Sequence, residues 1–102
     1  MITSFFDYID TAKNLTIFSS YRKIADYLDT QPVKISQWRQ GKGYVSPCEC
    51  VLLARLLGIK PEEIAFVLKA QSTTSPDEKA KWLKEAKKVH KPISPPKKFL
   101  KI

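Results

Sequence analysis

This chain is short of the residues that build metal sites, disulfide frameworks and hairpins. Its single histidine, His90, has no second imidazole with which to share a metal and makes a histidine-based catalytic triad a poor fit. Two cysteines, Cys48 and Cys50, stand too close together to staple a fold, and no further Cys or His pair completes a zinc site. Glycine occurs three times in 102 residues, and no hairpin signal accompanies it. The apolar runs reach only a few residues, far short of the ~20 that a membrane span needs, and no charged-then-apolar secretory leader opens the sequence. The expectation is a cytoplasmic protein that is not an enzyme and holds no metal or cofactor; membrane binding is not expected.

Positive charge, by contrast, is plentiful. Eighteen Lys and Arg against ten Asp and Glu give a formal charge of +8, which favours a polyanionic partner. Its placement is uneven: residues 1 to 75 carry nine basic and seven acidic side chains, whereas residues 76 to 102 carry nine lysines and three acids. With 43% hydrophobic residues the chain has an ordinary core for one domain, and the basic excess lies in its tail.

Apolar residues recur at steps of three and four, the pattern of an all-α chain. The first helix uses Ile2, Phe5, Phe6, Ile9 and Ala12 and ends near Asn14. Ser19 or Ser20 caps a second helix, which carries Ile24, Ala25 and Leu28 and stops near Asp29. Thr30 is expected to cap a short third helix from about Gln31 to Gln40, with Pro32 in its first turn and Val33 or Lys34, Ile35 and Trp38 on overlapping faces. Gly41-Lys42-Gly43 ends it. Ser46-Pro47-Cys48-Glu49 is a capping box that opens a fourth helix, apolar nearly all round and closed by Gly58, so it should be the most buried. Pro61 opens a fifth helix, and a second capping box, Ser75-Pro76-Asp77-Glu78, opens a sixth with Ala80, Trp82, Leu83, Ala86 and Val89 on its apolar stripe. Beyond His90, the prolines at 92, 95 and 96 among lysines cannot continue a helix and predict a flexible tail of polyproline character.

Two short helices joined by a tight turn allow the second to enter a DNA major groove. Ala25 is small where two such helices approach, Leu28 and Ile35 face the shared core, and Trp38 anchors the second helix from beneath. The stretch from Tyr21 to Lys42, with Ile24-Ala25, Ile35, Trp38 and Gly41 in register, resembles the helix-turn-helix of the phage Cro and CI repressors, the XRE family. Leu53-Ala54, Leu57-Gly58-Ile59 and Glu63-Ile64 resemble that family's fourth and fifth helices. The chain departs from the family at Asp29, where glycine is usual in the turn, and at Thr30, where an aliphatic residue is usual; Asp tolerates left-handed geometry better than most residues. The layout as a whole, with a short basic helix bearing Trp82 after the bundle, also resembles an uncharacterised phage-related family of filamentous phages and prophages.

The resemblance implies a five-helix λ-repressor-like helix-turn-helix bundle over residues 1–72, a basic amphipathic helix over 73–90 and a flexible Pro/Lys tail over 91–102. It also implies that Gln31, Pro32, Val33, Ser36, Gln37 and Gln40 read bases. Gln37 and Gln40 can each pair bidentately with adenine and Val33 can pack on a thymine methyl, so A·T-leaning half-sites are expected. Tyr21, Arg22, Lys34, Arg39 and Lys42 flank that face and suit phosphate contacts, which set register without reading sequence.

The function implied is a sequence-specific, double-stranded DNA-binding transcriptional regulator of the phage repressor type, binding an inverted repeat as a homodimer. Repression would follow from steric exclusion, since there is no room for a ligand-sensing domain. Trp82, Leu83, Ala86 and Val89 are too apolar to stay bare, and three placements are open: the chain's own bundle, a dimer contact, or a partner or membrane surface. Lys87, Lys88, Lys91, Lys97, Lys98 and Lys101 would add salt-sensitive, nonspecific DNA affinity. The alternative is a protein-interaction module, antitoxin-like or an assembly factor, in which the helix-turn-helix is a scaffold and the Trp82 helix binds a phage or host protein.

Overall fold

The computed structural model describes residues 1–101, and its regular structure is helical. Six α-helices follow in order: α1 (Phe5–Leu15), α2 (Tyr21–Tyr27), α3 (Pro32–Arg39), α4 (Pro47–Leu57), α5 (Pro61–Ser72) and α6 (Pro76–Lys88), with a 3-10 turn at Lys97–Phe99. Among the described residues there is no strand, and the one extended pairing is an isolated antiparallel bridge between Thr16 and Leu100. None of these helices is long and apolar enough to cross a membrane.

Local hydrogen bonding sets the helix boundaries. Ser20 rather than Ser19 caps α2, its hydroxyl accepting from the Lys23 N–H at 3.1 Å. At α4 the capping box closes in both directions: Ser46 Oγ accepts from Glu49 N–H, and the Glu49 carboxylate accepts from Ser46 N–H at 2.8 Å. Gly58 then ends α4 in the left-handed region at φ +68°. The second box closes by half, because Ser75 accepts from Glu78 N–H while the Glu78 carboxylate takes the Thr73 hydroxyl instead.

The turn between α2 and α3 corrects one expectation. Thr30 does not cap α3; Gln31 occupies that position and makes no side-chain cap bond. Instead Thr30 N–H closes back on the Ala25 carbonyl at 2.9 Å and Asp29 N–H on Asp26 at 3.2 Å, with Asp29 at φ +53° between them. This is the Schellman pattern, with aspartate where glycine is usual, and it assigns Thr30 to the end of α2.

The core joins Phe5, Ile9 and Ala12 of α1 to Ile24, Ala25 and Leu28, to Ile35 and Trp38, to Leu53, Leu56 and Leu57, and to Ile64 and Val67. Each fully buried aliphatic or aromatic side chain here is worth roughly 1.5 to 3 kcal/mol. Tyr8, which the apolar spacing left out, is buried too, because its hydroxyl donates to the Glu63 carboxylate across the core. Burial, then the hydrogen bond to Glu63 and its charge, push the Tyr8 phenol far above its ordinary value.

The sixth helix takes the first of its three open placements. It packs chiefly on α5, with Trp82 stacked on Phe66 at 5.9 Å and Ala86 fully buried. His90 sets Nδ1 2.7 Å from Oε1 of the buried Glu63, although its side chain remains 37% exposed.

The expected flexible tail is a docked strap through Lys101, and Ile102 lies outside the described residues. Ser94 N–H donates to the Leu57 carbonyl at 3.0 Å, Ile17 N–H to Phe99 at 2.9 Å and Lys101 N–H to Leu15 at 3.3 Å. The Phe99 ring meets Phe18 and Tyr27 at 5.8 and 5.7 Å. Proline excludes helix here, as read from the sequence, but the extended chain it leaves can pair with exposed loop backbone and bury Ile93 and Phe99 in part.

Candidate nucleic-acid interface

Helix α3 is held from one side. Ile35 and Trp38 are almost wholly buried beneath it, and Trp38 meets Phe5 edge-on at 5.1 Å and 82°. The Trp38 indole N–H donates to the Tyr44 carbonyl at 3.3 Å, which ties down the loop that leaves the helix. That loop turns through Gly41 and Gly43 at φ +73° and +85°, and Lys42 N–H closes on the Gln37 carbonyl at 2.9 Å.

At 100° per residue, anchoring Ile35 and Trp38 turns Val33, Ser36, Gln37 and Gln40 to the opposite side. All four are exposed, as are Gln31 and Pro32 at the start of the helix. Val33 is 59% exposed, so its methyl groups are accessible on this face. A Cβ on Gly43 would lie 3.1 Å from Oε1 of Gln37 and 3.2 Å from its Cβ, so glycine at 43 leaves room for the Gln37 carboxamide.

The five candidate phosphate ligands divide. Arg22, Arg39 and Lys42 are exposed, and none has an acidic partner among the described residues. The Arg39 guanidinium lies over the Phe6 and Tyr21 rings at 5.3 and 5.0 Å, an aromatic seat that fixes its position at the flank of α3. Lys34 is instead engaged inside the fold: its ammonium stands 3.2 Å from both Glu49 oxygens and 5.3 Å from the Trp38 ring. Tyr21 donates its one hydroxyl proton to Asp10 at 2.8 Å, while its ring carries Lys13 at 4.7 Å. Three of the five thus stand unpaired among the described residues, while Tyr21 is the seat for Arg39 and Lys34 a brace between α3 and α4.

Glu49 is the residue the sequence reading missed. Its sequence position marks only the acid of a capping box, yet it is buried and holds both the α4 N-terminus and Lys34. Burial pushes its carboxyl up, but hydrogen bonds from the Ser46 N–H, Lys34 and the Ser46 and Thr30 hydroxyls outweigh that and hold it below its ordinary value. The spacing of Lys34 and Glu49, fifteen apart on separate helices, carries no local signal. The contact of Phe6 with Arg39 and that of Asp10 with Tyr21 are non-local in the same way. The two cysteines point to different sides of α4: Cys48 is exposed and Cys50 buried, and burial together with the Glu49 charge lifts the Cys50 thiol to about 11. No protein-family model, curated protein or solved structure matches the chain.

Proposed function

We propose that this chain is a sequence-specific, double-stranded DNA-binding regulator in which α2, the Asp29 turn and α3 act as a helix-turn-helix. The observation that carries the reading is the two-sidedness of α3: Ile35 and Trp38 fix it to the core, and Val33, Ser36, Gln37 and Gln40 stand exposed on its other side between the free cations Arg22, Arg39 and Lys42. Glutamine carboxamides pair bidentately with adenine and an aliphatic side chain packs on a thymine methyl, so A·T-leaning half-sites follow. The guanidinium and ammonium groups beside them suit phosphates and fix register.

A homodimer on an inverted repeat belongs to the same proposal. The loop leaving α3 carries Tyr44, 71% exposed, into an apolar hollow lined also by Val45, Pro47, Val51 and Leu68. The competing reading, a protein-interaction module built on the Trp82 helix, has less to work with, since Trp82 stacks on Phe66 and Ala86 is buried within the chain.

The test is selection from a random duplex library by the full chain at physiological salt, repeated with Gln37→Ala. Enrichment of an inverted repeat is expected, with preference relaxed at one position of each half-site in the variant by about 1 to 3 kcal/mol. An unenriched library would remove the DNA-reading function.

A further inference from the structure

We infer that the docked C-terminal strap forms a second, positioned phosphate-binding edge for the duplex that α3 is proposed to read, an inference that rests on that reading. The strap is fixed beside the loop that enters α2. Ile17 N–H donates to the Phe99 carbonyl at 2.9 Å, Lys101 N–H to Leu15 at 3.3 Å, and Phe99 packs on Phe18 and on Tyr27 of α2 itself. Lys97, Lys98 and Lys101 are therefore held in place rather than trailing, and all three are exposed without a carboxylate partner among the described residues. The Lys98 ammonium lies 5.0 Å from the Phe99 ring.

Lys23, one turn before Tyr27 on α2, lines a hollow with Ile17, Phe18, Tyr27 and Asp26. Lys23 is itself exposed and has no carboxylate partner among the described residues. The paired backbone at Ile17 is three residues from Ser20, the cap of α2, which is at most ~11 Å of chain. The strap is thus tied close to the N-terminus of α2, where Arg22 stands. A loose basic tail would attract DNA anywhere, whereas an edge fixed at this distance meets phosphates at one place outside the half-site. The remaining lysines of the C-terminal third mostly ride on α6, which packs chiefly on α5, away from α2 and α3.

The experiment uses the full chain and the duplex it selects, and reads both the salt dependence of affinity and the phosphates whose ethylation blocks binding. The triple variant Lys97→Gln, Lys98→Gln, Lys101→Gln is expected to melt like the parent and keep the selected sequence. It should lose interference at phosphates flanking the half-site, and its plot of log affinity against log salt should be shallower by about 2 to 3. Lys79→Gln, Lys81→Gln, Lys84→Gln removes the same charge from α6 and should leave the interference map unchanged. Phe99→Ala keeps every lysine but frees the strap, and should lose the flanking interference as well. An unchanged map in the strap triple variant, or an equal change in the α6 variant, overturns the positioned edge while base reading by α3 stands. If the full chain selects no duplex, both readings fall.

Discussion

The outward face of α3 and the C-terminal strap are both polar, exposed stretches of chain, and they dispose of their groups in opposite ways. On α3, Val33, Ser36, Gln37 and Gln40 make no hydrogen bond or ion pair among the described residues beyond the helix's own backbone and the loop it supports. In the strap, backbone groups of Ser94, Phe99 and Lys101 bond to Leu57, Ile17 and Leu15, and Ile93 and Phe99 reach the core. The strap commits its backbone to its own bundle, although its lysines stay unpaired among the described residues. A surface that serves a partner leaves its groups unmatched, because a hydrogen bond already made is not available to a base edge.

The sharpest way to break that contrast is at Gly58. A Cβ there would lie 2.0 Å from the Ser94 carbonyl oxygen, and the left-handed backbone penalises any L side chain besides. Gly58→Ala is expected to cost about 2 to 3 kcal/mol, combining the left-handed penalty with loss of the Ser94 bond, and to speed amide exchange at Ser94 and Ile17. Urea unfolding and exchange mass spectrometry measure both, and unchanged exchange at Ser94 would show the strap to be undocked already.

Next in size is Phe99→Ala, which removes a half-buried ring from Phe18 and Tyr27. Its expected cost in chemical unfolding is about 1 to 2 kcal/mol, below that of a full core truncation. Gln37→Ala supplies the opposite limb: stability within about 0.5 kcal/mol of the parent, with the loss appearing in binding alone. A large drop in melting temperature from that change would mean that the face of α3 is structural after all.

The smallest effect sharpens the boundary between the two regions, at the Lys34–Glu49 brace. Glu49 has its folded carboxyl held below the ordinary 4.5, so its contribution is present above that value and is lost as the pH falls through the lower, folded one. Melts from neutral to about pH 3 should therefore show a component of acid destabilisation that Glu49→Gln lacks. Equal acid sensitivity in the two proteins would mean that the brace adds nothing to stability.

The helices were legible because their signals are local. Ser20, the Ser46 box, Pro61, Ser75 and Gly58 act within one turn of where they stand in sequence, and helical spacing around Ile35 and Trp38 already separated the buried side of α3 from Val33, Ser36, Gln37 and Gln40. The site blurred where a charged residue had a choice of partners. Lys34 and Arg39 look alike as basic residues on one short helix, yet Glu49 draws one inward and the Phe6 and Tyr21 rings hold the other at the surface.

Helix order, most of the caps and the two faces of α3 were thus set by the amino-acid order itself, since capping and amphipathic periodicity need no knowledge of distant chain. Folding in three dimensions decided that Tyr8 is core, that Glu63 joins it to His90, and that the tail is a strap. Those contacts link residues 55 and 27 apart, or pair an irregular segment with a loop near the other end of the chain. Their physical reason is shared: a buried hydroxyl, carboxylate or bare backbone group must find a partner, and which group lies opposite is fixed only once the helices have packed.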